Sequence, residues 1–209
     1  MADAVIVSTA RTAIGTAFKG SLNDVDGLEL ATKAVGEAVA RSGIDPTRVD
    51  DIVLGEALYG GGDLARYAAT ELGMDNVPGL AHNRHCASGL GAVQSAAASI
   101  LAGMDRAVIA GGVQSKSTVP QSRWRLPGTD HWEEDWISPS HPETPDAPTR
   151  DMTISVGWNT ARKAGISRED MDAWALRSHQ RAVAGIDAGA FTAETFPVEV
   201  PGPDGTTTT

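Results

Sequence analysis

The chain has one cysteine, Cys86, within the stretch HNRHCASGLGA at residues 82–92. A lone thiol is a candidate nucleophile that can carry an acyl group as a thioester. A free cysteine is equally a small hydrophobe that fills core space. Position separates the two readings, because Cys86 falls where an extended run meets an Ala-rich predicted helix. Unpaired backbone N–H groups and the positive end of the helix dipole favour an anion at such a place. Both stabilise a thiolate over a thiol. The same N–H groups can bond an oxyanion developing on an attacked carbonyl. Ser88 and Gly89 are small, which leaves room for a planar thioester or ketone.

A nucleophile of this kind needs a base. Five histidines are available: His82, His85, His131, His141 and His179. His85 precedes the cysteine directly, so its side chain points elsewhere, and His82 reads as a strand residue. His131 and His141 stand in an aperiodic stretch, and His179 reads as the surface of a helix. None is assigned as the base. Gly60-Gly61-Gly62-Asp63 lacks the lysine and spacing of a phosphate loop, and Gly111-Gly112 lacks the dinucleotide pattern. The run His131 to Trp136 has no ligand spacing for a metal and reads as a solvated acidic turn. Arg123, Arg125 and Arg150 are weak candidates for phosphate contacts.

The elements that must position Cys86 follow from periodicity. Val5–Val7 and Asp51–Gly55 read as strands, with a weaker strand at Val77–His82 and another at Arg106–Ala110. Helices are predicted over 28–42, 64–72 and 86–101, each stopped by a glycine. On the third, Leu90, Val93, Ala97, Ile100 and Leu101 share one side. The order β-α-β-α-β-α-β over the first ~115 residues marks an α/β sheet. Between Val119 and Pro148 lie six of the eleven prolines and three of the five tryptophans, as expected of a functional excursion or subdomain. Helices resume near 154–164 and over 171–188, the latter opened by Ser167 as an N-cap, and Phe196–Val200 reads as a strand.

Length and composition set the frame. The 209 residues are 41% hydrophobic, enough for one sizeable core or a core plus a subdomain. The net charge of −10 argues against a nucleic-acid groove or an anionic membrane surface as partner. One cysteine excludes an internal disulfide, and neither a signal peptide nor a spanning segment is visible. A soluble cytoplasmic protein is the expectation.

Four stretches resemble the N-terminal part of thiolases, the acetyl-CoA acetyltransferases and 3-ketoacyl-CoA thiolases. They are VIVSTARTAIGTAFKGSL at 5–22, LARYAATELGM at 64–74, NRHCASGLGAVQSAAASILAG at 83–103 and GISREDMDAWALRSHQRAVAGIDAGAF at 165–191. The resemblance implies a thiolase-like layered α/β fold, a mixed sheet flanked by helices with an inserted helical loop domain. It divides the chain into a core at 1–117 and a truncated loop domain, covering coenzyme A, at 118–209.

By the same resemblance Cys86 is the catalytic nucleophile of an acyltransferase acting on 3-ketoacyl-CoA, and its backbone N–H belongs to an oxyanion hole. Acetyl-CoA and CoA are partners, CoA being a substrate, with no cofactor and no metal. Met152 and Thr153 fall where thiolases carry His-Met-Gly near the pantetheine, which makes them substrate-binding candidates. Gln114 and Lys116 replace a Glu and a Met. The family's Gly-His-Pro and Cys-x-Gly-Gly-Gly stretches are not in this sequence. The implied enzyme therefore needs a C-terminal half or partner subunit, and a homodimer or homotetramer is expected. The alternatives are a ketoacyl synthase relative, or a thiolase-like acyl-CoA or lipid-binding or scaffold subunit without turnover.

Overall fold

The computed structural model describes residues 3–201 and 207–208. It forms two compact units: residues 1–120 with 194–209, and residues 121–193.

The first unit is built on a parallel sheet. Helix α1 (Gly27–Ser42) opens at Asp26, whose carboxylate accepts from the Glu29 N–H, and closes at Gly43 in the left-handed region. Strand β1 (Asp51–Gly55), helix α2 (Leu64–Glu71), strand β2 (Gly79–His82), helix α3 (Ser88–Ala102) and strand β3 (Val108–Gly112) follow. The strands lie in the order β2-β1-β3, both pairings parallel. Ile52 and Leu54 pack with Ala31 and Val35 of α1 and with Leu64, Ala65, Ala68 and Ala69 of α2. Gly55 meets the start of α3, so β1 has helices on both faces.

Three sequence expectations change. Val5–Val7 forms no strand, and these side chains are 71%, 78% and 77% exposed. A β-branched run becomes a strand only where a neighbour offers a ladder, and here the segment is held along α1 instead. The Ser8 hydroxyl donates to Ala38 O at 2.7 Å and Arg41 donates to Thr9 O at 3.1 Å. From α1 onward the alternation is α-β-α-β-α-β. The second change concerns α3. Its sheet face is Ser88, Gly91, Ala92 and Ala96, whereas Leu90 and Leu101, on the predicted core side, are 76% and 54% exposed. The small residues win that face because the glycine-ended strands let the helix approach closely. Third, the predicted strand at 196–200 is shorter: β6 (Val200–Pro201) pairs antiparallel with β7 (Thr207–Thr208). Residues 194–196 lie beside Arg11, whose N–H donates to Glu194 O and whose carbonyl accepts from the Phe196 N–H.

The second unit opens with a small hairpin, β4 (Trp124–Arg125) and β5 (Trp132–Glu133). The rings of Trp124 and Trp136 stack at 5.2 Å. A π-helical turn at Met152–Val156 runs into helix α4 (Gly157–Ala164), and α5 (Arg168–Asp187) follows. Ser167 caps α5 by accepting from the Asp170 N–H. No helix among the described residues is long and apolar enough to cross a membrane.

Candidate active site

The parallel strands place their carboxyl ends in register, because Gly55 is opposite both His82 and Gly112. Loops that leave this edge are where open α/β sheets bind ligands. The loop after β2 is the turn Asn83–Ala87, and it carries Cys86. The thiol is exposed. Helix α3 begins at Ser88, two residues later than Cys86, and its N-cap Ala87 supplies no side-chain bond. The expected helix start at Cys86 is thus corrected: the thiol belongs to the turn before the cap.

The turn is tightly specified. His85 has φ of +48°, a left-handed conformation that a residue with a Cβ rarely adopts. Its N–H donates to Asn83 Oδ1 at 2.9 Å. The Ala87 N–H donates to Arg84 O and the Ser88 N–H to His85 O, both at 3.0 Å. The Ser88 hydroxyl accepts from the Arg84 N–H at 2.8 Å and donates to His85 O at 2.6 Å. Arg84 also reaches Gln94 on α3. Among the described residues no hydrogen bond engages the Cys86 N–H or its thiol. An exposed thiol and a backbone N–H with no partner among the described residues therefore stand on the same residue.

Glycines allow this arrangement. A Cβ on Gly55 would stand 2.5 Å from the Ser88 carbonyl carbon, and one on Gly112 would stand 3.2 Å from Gly89 Cα. The sheet edge and the first turn of α3 approach backbone to backbone. Next to Gly55, the buried Glu56 carboxylate accepts from the N–H groups of Asp63 and Leu64 and so fixes the start of α2. The sequence hint for Glu56 was an acid directly after an apolar strand. Tyr59 bonds the Ser115 N–H through its hydroxyl at 2.9 Å, and burial pushes its phenol above the ordinary value. Nothing in the periodicity pointed to that contact.

The remaining candidates separate plainly. His85 is exposed. His82 packs against Gly91, and its Nε2 is buried without a partner among the described residues. His141 is engaged by Ser140 and by Ala147 O, and His131 and His179 are exposed. The Gly60–Gly62 loop is a turn with positive φ at Gly60 and Gly61, and Asp63 caps α2. Arg123 lies over the Trp132 ring, Arg125 donates to Thr129 O, and Arg150 pairs with Glu133. Among the described residues no group of three or more His, Cys, Asp or Glu side chains is placed to hold a metal ion. Met152 and Thr153 open the π-helical turn of the second unit, where Thr153 is exposed. Gln114 and Lys116 line a cavity of about 240 Å³ with Thr12, Ile14, Thr16 and Leu30.

Fold and site together define a layered α/β protein with one thiol on a strained turn at the carboxyl edge of a parallel sheet. The chain belongs to the thiolase family: residues 4–209 match the family model described as thiolase, N-terminal domain. It is 33% identical to an acetyl-CoA acetyltransferase of Pseudomonas aeruginosa, with 96% of this chain and 52% of that protein aligned. Against a 3-ketoacyl-CoA thiolase of Bacillus subtilis it is 36% identical, over 96% of this chain and 50% of that protein. The crystal structure of the Bacillus anthracis acetyl-CoA acetyltransferase superposes with a TM-score of 0.79 at 32% identity, covering 94% of this chain and 50% of the other. The chain thus spans about half the length of the curated relatives it matches. The fold is that of the thiolases.

Proposed function

We propose that this chain carries the nucleophile of a thiolase-type acyl-CoA acyltransferase, with Cys86 as the catalytic residue. In the degradative direction the Cys86 thiolate attacks the 3-keto carbon of a 3-ketoacyl-CoA. The bond between carbons 2 and 3 breaks, and its electron pair stays on carbon 2, which takes a proton and leaves as acetyl-CoA. The shortened acyl group remains on Sγ as a thioester. The thiolate of free CoA then attacks that carbonyl and restores Cys86. Synthesis is the same sequence reversed. CoA is a substrate in this scheme, and no cofactor or metal is invoked.

The observation that supports the reading best is the exposed thiol beside its own unpaired N–H, held on a specified turn in a chain of this family. The base is assigned to a second half, on the same polypeptide or a partner subunit, because no described histidine bonds the thiol. Within the expected loop domain at 118–209 we assign the second unit, residues 121–193, to the covering of CoA, with Met152 and Thr153 at the pantetheine, and infer a homodimer or homotetramer. A cytoplasmic location is part of the proposal, although named relatives include peroxisomal and mitochondrial proteins. A second reading is an acyl-CoA-binding or scaffold subunit without turnover, which an assembled protein that forms no adduct on Cys86 would favour.

The test is intact-mass analysis of the protein, assembled with its second half, after incubation with 3-ketoacyl-CoA. A thioester adduct on Cys86, absent in Cys86→Ser, is expected. The same adduct in the serine variant, or none in the parent protein, would defeat the catalytic reading.

A further inference from the structure

We propose that Ser88 is the positioning residue of Cys86: its hydroxyl locks His85 in the left-handed conformation that presents the thiol and its N–H together. The inference rests on Cys86 being the acyl-carrying residue, and it adds the device that orients it.

The argument starts from His85. A left-handed residue with a Cβ relaxes to the right-handed or extended region unless its surroundings over-determine it. One hydroxyl supplies that constraint on both sides. The Ser88 Oγ accepts from Arg84 N–H at 2.8 Å and donates to His85 O at 2.6 Å. It thereby ties the Asn83–Arg84 peptide to the His85–Cys86 peptide, with His85 held between them. Ser88 is only 5% exposed and sits against Gly55, where an added Cβ would be 2.8 Å from the Ser88 Cβ. The serine is thus anchored to the rigid sheet edge, while the residues it holds are exposed. Position 88 transmits the placement of β1 to the turn that carries the thiol.

An acyl transfer and an alkylation report differently on such a device. Alkylation by iodoacetamide depends on thiolate fraction and access. Acyl transfer further depends on an N–H aimed at the oxyanion of the tetrahedral intermediate. The full chain is reacted separately with iodoacetamide and with p-nitrophenyl acetate. In the second reaction the Cys86 S–C bond forms, the ester C–O bond breaks, and its electron pair leaves on p-nitrophenolate, which is followed by absorbance. The thiol proton goes to buffer. The ratio of the two rate constants cancels thiolate fraction and access, and N-acetylcysteine supplies the reference ratio.

The parent protein is expected to show a ratio above the reference. Ser88→Ala is expected to lower it by about tenfold, less than the roughly 10²–10³-fold of outright loss of an oxyanion donor because the Cys86 N–H remains but is misaimed, with the alkylation rate within about twofold of the parent. His85→Val keeps Ser88 but disfavours the left-handed backbone, and lowers the ratio equally. Ser88→Ala combined with His85→Gly restores it, because glycine adopts positive φ without the lock. A parent ratio equal to that of N-acetylcysteine would overturn the acyl-enzyme reading and this role with it. A raised ratio unchanged in Ser88→Ala, or in His85→Val should the alanine variant not fold, would overturn the role of Ser88 alone.

Discussion

Helices α3 and α5 are held in opposite ways. Helix α5 has three local devices and no buried residue: a serine cap, Glu169 and Asp170 in the first turn, and an Arg168–Asp172 pair one turn apart. Helix α3 has no side-chain cap and no charged residue, yet it buries Ser88, Gly91, Ala92 and Ala96. Local chemistry specifies the first helix, and tertiary packing specifies the second. The contrast matters because the thiol precedes α3. A helix placed by backbone-to-backbone contact with a sheet is a rigid reference for the turn before it, whereas a helix stabilised by its own caps fixes nothing outside itself.

The sharpest way to break that contrast is at Gly55. An alanine there puts its Cβ 2.5 Å from the Ser88 carbonyl carbon and 2.6 Å from the Gly89 nitrogen. Neither is the end of a flexible side chain, so strand and helix must separate. Gly55→Ala is expected to destabilise the first unit by about 2–3 kcal/mol, read as a lower urea midpoint. It should also slow acetylation of Cys86 relative to alkylation, since it displaces the anchor of Ser88. An unchanged midpoint would mean that α3 is not held by the sheet edge.

A smaller effect is expected at the other helix. Ser167→Ala removes the acceptor of the Asp170 N–H at 3.0 Å. Loss of such a cap costs about 1 kcal/mol, and the change should leave the chemistry of Cys86 untouched. Loss of far-ultraviolet helix signal on mild heating, with an unaltered alkylation rate, is the expected result. A slowed Cys86 reaction would show that α5 and the thiol are coupled.

The same difference explains what was legible in the residues. The strands at 51–55, 79–82 and 108–112 were readable to within about two residues because β-branched or apolar runs end at turn-forming residues. Helix α5 was readable because its cap and charges are local signals. The inner face of α3 was not, because periodicity counts large apolar residues and the sheet selects small ones. Val5–Val7 has the composition of a strand, but composition carries no information about a neighbouring ladder. Cys86 stood out by being alone. Ser88 stood out only as a small residue beside the thiol, and the turn of its hydroxyl back to the loop depends on the fold.

The mildest test uses acid and the far edge of the sheet. Asp50 precedes β1, and its Oδ2 accepts from the N–H groups of Arg106 and Ala107, which lead into β3. Those two bonds favour the ionised form and hold the carboxyl below its ordinary value of 3.8. A depressed acid stabilises the fold above its unfolded value, and the contribution is lost as pH falls through the folded one. Asp50→Asn keeps an acceptor oxygen but cannot ionise. The gap in urea midpoint between parent and variant is therefore expected to be constant around about pH 6 and to close as pH falls towards about 3. The gap should be small because Asp50 is accessible to solvent. Reactivity at Cys86 should not change at about pH 6, because Asp50 holds the amino ends of the strands while the thiol stands at their carboxyl ends. A gap that persists at low pH would locate the effect in the side-chain shape of Asp50 rather than its charge.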